Sequence, residues 1–195
     1  MDYTIATGAL MSLDPREHVA WSEELRTNMI AMTLSALAEF PSRLEGFYHA
    51  FPRELTRWVP DSWEGCPSEN LTALEQICHV RDIELDGYHV RFSRLLNETG
   101  PVLASLDTYA LVKERDYAAA EPPAVFAAFR AARRATVEML RPLSDEQLAR
   151  AGTFEGYGPV TVRGLIHYLC SHDQQHLAGL QWLMGKAESA RSRTT

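Results

Sequence analysis

The chain has 195 residues, 46% of them hydrophobic and 23% charged, and a formal net charge of −7. This balance suits one soluble globular domain with a core of its own. The acidic excess argues against nucleic acid or an anionic membrane as partner. No apolar run approaches about 18 residues, so no membrane-spanning helix is expected.

The opening stretch "MDYTIATGALMSLDPREH" lacks a basic segment followed by an apolar one, so no secretory signal is expected. The three cysteines, Cys66, Cys78 and Cys170, show no C-x-x-C spacing. Reduced thiols in a cytoplasmic protein follow from that pattern.

In chain order, residues 1–13 read as a loose tail. "DPRE" then opens a helix over 14–36 or a little beyond, with Asp14 as cap, Pro15 in the first turn and Glu17 three residues after the cap. Pro41 either kinks this helix or opens a second, "PSRLEGFYHAF". "VPDSWEGCPSEN" is a loop. In the stretch that follows, Leu71, Leu74, Ile77, Cys78, Leu85, Tyr88, Phe92 and Leu95 recur at helical steps. This predicts one long helix, capped by Ser68 and stopped at Gly100-Pro101. A long connection with room for a short helix leads to "PAVFAAFRAARRATVEMLRPL", a third helix closed by Pro142. "SDEQLAR" reads as a capped turn or two, and "AGTFEGYGPVTV" as a loop or small extended excursion. The last long helix is expected to be capped by Thr161 and to stop at Gly185, leaving a polar tail over 186–195. With at least four amphipathic helices and no convincing strand alternation, the fold class is all-α, a helical bundle.

The stretch "LIHYLCSHDQQHLAGL" places three of the seven histidines within ten positions. On a helix His172 and His176 differ by about 40° around the axis, whereas His167 lies about 140° from His172 and about 180° from His176. The cluster is therefore a pair plus an outsider. An H-x-x-x-H pair offers two imidazoles to a borderline metal and needs a third ligand from elsewhere. His79 in "CHVRDIE" is the best candidate, because it sits mid-helix beside the apolar stripe. Asp82, three residues on, lies on the same side and is a candidate to orient an imidazole or to act as base. Each of these histidines is otherwise an ordinary core residue. His18, His49 and His89 have no partner in spacing and read as surface or packing residues. Asp173 is either solvated or a support for the ligands. Cys78 and Cys170 read as buried small hydrophobes, and Trp58, Trp63 and Trp182 as packing aromatics.

Four ordered stretches carry a resemblance: "EFPSRLEGFYHAFPRELTRWVPDSW", "LEQICHVRDIE", "DYAAAEPPAVFAAFRAARRATVEMLRPLSDEQL" and "GYGPVTVRGLIHYLCSHDQQHLAGLQWL". In these the chain resembles the DinB/YfiT-like superfamily of metal-dependent enzymes over roughly residues 37–184. The resemblance implies an up-down-down-up four-helix bundle over 37–185, and the helix expected over 14–36 lies outside it as an extra N-terminal helix. It also implies one divalent metal ion per chain, nickel or zinc, held by His79, His172 and His176. Relatives of this kind transfer low-molecular-weight thiols such as bacillithiol, mycothiol or glutathione to electrophiles, or act as hydrolases. They often pair as homodimers. The functional expectation is thus a metal-dependent enzyme on a small-molecule substrate, a thiol S-transferase or a hydrolase. The alternative is a non-catalytic metal-binding or structural bundle.

Overall fold

The structure, a computed structural model, describes residues 22–191. The expected cap at Asp14, Pro15 and Glu17, together with His18, lies outside the described residues.

Helix α1 (Glu23–Ala50) begins at Ser22, whose Oγ accepts from the Leu25 N–H at 3.1 Å. It runs unbroken through Pro41, so the segments on either side of that proline form one helix. Proline has no N–H for the carbonyl four residues earlier, that of Leu37. Arg133 Nη1 donates to that oxygen at 3.0 Å. A side chain from another helix thus supplies the bond that the proline removes.

The second long helix starts later than Ser68. Its cap is Thr72, which exchanges a capping box with Glu75. It comprises α2 (Ala73–Asp82), a π-helical turn over Ile83–Tyr88, and α3 (His89–Asn97). The π turn shifts the register of the apolar stripe. Leu85, expected inside, is 37% exposed, and Glu84 is 1% exposed in its place. The crossover that follows holds strand β1 (Val102–Leu103), helix α4 (Thr108–Glu114) and a 3₁₀ turn over Tyr117–Ala119. Then come α5 (Pro122–Leu140) and the short α6 (Asp145–Leu148), which carries its own capping box between Ser144 and Gln147.

Strands β2 (Ala151–Phe154) and β3 (Gly158–Thr161) form an antiparallel hairpin, and β1 pairs parallel to β2. The residue pattern does not predict this small sheet. The strands are short and interrupted by Gly152 and Pro159, so they show almost no alternation. The hairpin turns through Gly156 and Gly158, both near φ +80°, a backbone region open mainly to glycine. Helix α7 (Val162–Arg191) opens at Thr161, whose Oγ1 accepts from the Gly164 N–H at 3.0 Å. It passes through Gly185 without stopping and continues into the expected polar tail.

Side-chain pairings give the topology. Thr33 meets His167, and Leu37 and Asp173 both meet Arg133; Gln76 meets His176, and Glu84 and His89 meet Arg133 and Thr136 in turn. Thus α1 and α7 run parallel, as do α2–α3 and α5, and the bundle is up-down-down-up. The long crossover is what allows consecutive helices to run the same way.

Two apolar clusters fill the bundle. One joins Leu34, Leu37, Phe92, Leu95, Leu165 and Ile166 to the sheet residues Leu103, Phe154 and Val160. The other gathers Phe40, Leu44, Ile77, Phe126, Phe129 and Leu180. Buried polar side chains link all four long helices. Arg133 reaches both oxygens of Glu84 at 3.0 and 2.9 Å and both of Asp173 at 2.9 and 2.6 Å. Its guanidinium also lies 5.0 Å from the Phe129 ring centre. Asp173 is therefore a buried ion-pair partner, not a solvated neighbour.

Candidate metal centre

His79 on α2 and His172 and His176 on α7 meet inside the bundle. The Nε2 atoms of His79 and His172 are 3.3 Å apart, and those of His172 and His176 are 3.1 Å apart. One ligand atom from each of the three lies within 4.8 Å of the others. His79 and His176 are fully buried and His172 partly so. Helical geometry accounts for the pair on α7, and antiparallel packing of α2 on α7 brings His79 to them. His167, the outsider in spacing, turns to α1, with Nδ1 3.1 Å from Thr33 Oγ1.

Hydrogen bonding fixes one tautomer. The amide of Gln76 donates through Nε2 to Ser68 Oγ at 2.8 Å and to the Leu71 carbonyl at 3.4 Å. Its Oε1 therefore faces His176 and accepts from Nδ1–H. The ring's only proton is used there, and His176 Nε2 presents a bare lone pair to the other two nitrogens. Burial drives all three imidazoles toward the neutral form. It holds His172 and His176 well below the usual histidine range, aided by the neighbouring imidazoles. His79 is also lowered by burial, with the Glu69 and Asp82 charges working against it.

This donor set fits a divalent cation. An ion about 2.1 Å from two imidazole nitrogens in tetrahedral geometry would space them about 3.4 Å apart. Neutral imidazoles with converging lone pairs are the form a borderline metal requires.

Glu69 joins this cluster although no spacing rule predicts it. Its Oε2 lies 3.4 Å from His176 Nε2 and its Oε1 3.8 Å from His79 Nε2. It comes from the loop before α2, ten residues ahead of His79, and no helical spacing links it to the histidines. Gln76 is a second residue that the sequence reading misses, although it stands one helical turn before His79 and its spacing could have revealed it.

The structure does not bring Asp82 to the imidazoles. Its carboxylate accepts from Arg81 Nε at 2.6 Å and from Tyr117 OH at 2.8 Å, and pairs with Arg115 at 3.0 Å. Burial acts to raise its pKa, and these donors outweigh burial and hold it low. His79 Nδ1 has no hydrogen-bond partner among the described residues, and neither has His172 Nδ1. Asp82 instead ties the crossover segment to α2.

The remaining candidates fall elsewhere. His89 Nε2 lies 2.7 Å from Thr136 Oγ1, and His49 is on the surface beside Glu45. Cys78 is buried, and burial pushes its thiol up to about 12. Trp63 and Trp182 stack with centroids 5.8 Å apart, fastening the Glu69 loop to α7. No helix among the described residues is long and apolar enough to cross a membrane.

Comparison with solved structures finds a similar fold in YfiT from Bacillus subtilis, described as a probable metal-dependent hydrolase with an unusual four-helix bundle topology. The TM-score is 0.72 at 21% identity, covering 89% of this chain and 93% of that one. No curated protein sequence matches. The sequence profile of the DinB superfamily matches residues 36–180, which is most of the chain and includes all three histidines. The chain belongs to the DinB superfamily.

Proposed function

We propose that this protein is a metal-dependent enzyme acting on a small molecule, with His79, His172 and His176 holding one divalent cation and hydrolysis as its reaction. The observation that carries the reading is the convergence of three neutral imidazole nitrogens, 3.1 and 3.3 Å apart, in the bundle interior. The chemistry suits nickel or zinc. The likeness to YfiT, itself described as a probable metal-dependent hydrolase, supports the same reading.

The cation supplies Lewis acidity and lowers the pKa of a water or thiol that meets it. The protein's own residues do the rest. Gln76 holds His176 in the tautomer that frees Nε2. The dry setting keeps the rings neutral, and Arg133 pins Asp173, the residue after His172, so that α7 presents a fixed face. Transfer of a low-molecular-weight thiol would use the same three ligands and differ only in the nucleophile.

The test is elemental analysis of protein purified without a nickel column or polyhistidine tag, beside His79→Ala and His176→Ala. One equivalent of metal in the parent, lost in both variants with the helical circular dichroism retained, is the expected result. Hydrolysis of an ester and amide panel without added thiol, again lost in the variants, would assign hydrolysis. Turnover only with added thiol would assign transfer. A parent that takes up neither nickel nor zinc would overturn the reading.

A further inference from the structure

We infer that Glu69 is a fourth protein donor to the metal centre, carried by the loop before α2. The inference rests on the three-histidine reading above. Its carboxylate straddles two of the three nitrogens, with Oε1 at 3.8 Å from His79 Nε2 and Oε2 at 3.4 Å from His176 Nε2. The shorter separation equals the spacing of about 3.4 Å expected between donors that share one small ion. No arginine or lysine pairs with Glu69 among the ion pairs of the described residues; its two carboxylate oxygens face the imidazole nitrogens instead. A cation held between the two rings would complement this carboxylate.

The surroundings are built to hold the loop in this place. Ser68 Oγ accepts from Gln76 Nε2 at 2.8 Å and donates to the Glu69 carbonyl at 3.2 Å. The same Gln76 accepts from His176. One unbroken run of bonds therefore joins the backbone of Glu69 to a ring that faces it. On α7, Gly179 stands one turn past His176 and lets the loop approach. A Cβ there would lie 2.2 Å from Ser68 Oγ and 2.8 Å from Gln76 Nε2. The Trp63–Trp182 stack fastens the other part of the loop to the same helix. Any larger residue at 179 would lift Ser68, and Glu69 with it.

A closed four-ligand set is the mark of a structural site, and a catalytic one keeps a position that water or substrate can take. Here the fourth donor is carried by a loop, and its side chain is 34% exposed while those of His79 and His176 are 1% and 0% exposed. With the partly buried His172, it forms the side of the centre open to an incoming substrate.

The experiment uses the full chain stripped of metal and titrated with cobalt(II), read by visible absorption and by competition with a chromophoric chelator. The proteins are the parent, Glu69→Gln, Glu69→Ala and His176→Ala. We expect one equivalent bound by the parent, none or very weak binding by His176→Ala, and at least a tenfold weaker affinity in both Glu69 variants. The cobalt d–d bands should also change shape in Glu69→Gln. Glu69 variants that match the parent in affinity and spectrum, with His176→Ala still defective, would overturn this inference and leave the three-histidine site standing. A parent that binds no cobalt would overturn both.

Discussion

Arg133 on α5 donates to the main-chain oxygen of Leu37 on α1 at 3.0 Å, the carbonyl that Pro41 has no N–H to reach. The same guanidinium pairs with Glu84 on the π turn and Asp173 on α7. One side chain thereby joins all four long helices and permits a proline in mid-helix. Asp173 follows His172 directly, so the network also sets the face of α7 that carries the histidines.

Replacing Arg133 by Met removes the partner of two buried carboxylates and leaves the Leu37 oxygen bare. We expect a loss of about 3–5 kcal/mol of stability, as for other buried pairs broken on one side. Restoring the helical N–H with Pro41→Ala should recover about 1 kcal/mol in the Arg133→Met background and much less in the parent. Urea unfolding of the four proteins of this cycle checks the coupling. Additive effects would mean that the proline and the arginine do not share the Leu37 carbonyl.

Gln76→Ala should weaken the metal about 10–100-fold without removing any of the three histidines. The His176 ring would lose the acceptor that keeps its proton on Nδ1. Metal affinity by chelator competition, with circular dichroism as a check on folding, measures this. An unchanged affinity would show that tautomer control at His176 is not needed.

Burial holds His172 and His176 well below the 6.5 at which an imidazole ordinarily titrates. Below pH 6.5 the unfolded chain takes up protons that the folded, metal-free chain refuses. Stability is then lost as the pH falls, by about 1.4 kcal/mol per pH unit for each excluded proton. Asp173 acts with the opposite sign, because burial raises its carboxyl to about 7. Its contribution is common to parent and variant. Comparing urea midpoints of the metal-free parent and His176→Gln between pH 7.5 and 5.5 should therefore give a shallower fall in the variant. Equal slopes would place the His176 ring in contact with solvent.

Gly152 lies where β2 crosses the start of β1. A Cβ there would stand 2.5 Å from the Pro101 carbonyl oxygen and 2.9 Å from Leu95 Cδ2. The oxygen is backbone and is held by the Thr153 N–H at 2.9 Å. Gly152→Ala should cost about 1–3 kcal/mol through overpacking, seen as a lower thermal midpoint with the metal content unchanged. A midpoint equal to the parent's would show that the strand can shift away.

The four long helices and the His172–His176 pair are legible in the amino-acid sequence, because both depend on helical period. Apolar residues at three- and four-residue steps mark the buried faces, and an H-x-x-x-H pair falls on one face of any helix that contains it. His79 beside such a stripe is directed inward by the same rule. The misplaced features have non-local causes. Pro41 reads as a kink or the start of a second helix because its sequence neighbours cannot show that Arg133, 92 positions away, replaces its bond. Leu85 reads as core because a π turn cannot be told from an α turn by spacing alone. Strands of two to four residues, broken by glycine and proline, carry too little alternation to be seen and form only because the end of the bundle offers them a surface.

The sequence by itself determined where helices form and which of their faces are buried, because those depend on interactions within a few residues along the chain. Only the tertiary structure decided which polar groups meet across helices. It turned Asp82 toward Tyr117 and the arginines, drew Asp173 inside to Arg133, and set Gln76 and the loop residue Glu69 against the histidines. Those choices come from the packing of distant segments, where a buried polar group needs a partner and the fold alone determines which partners come within reach.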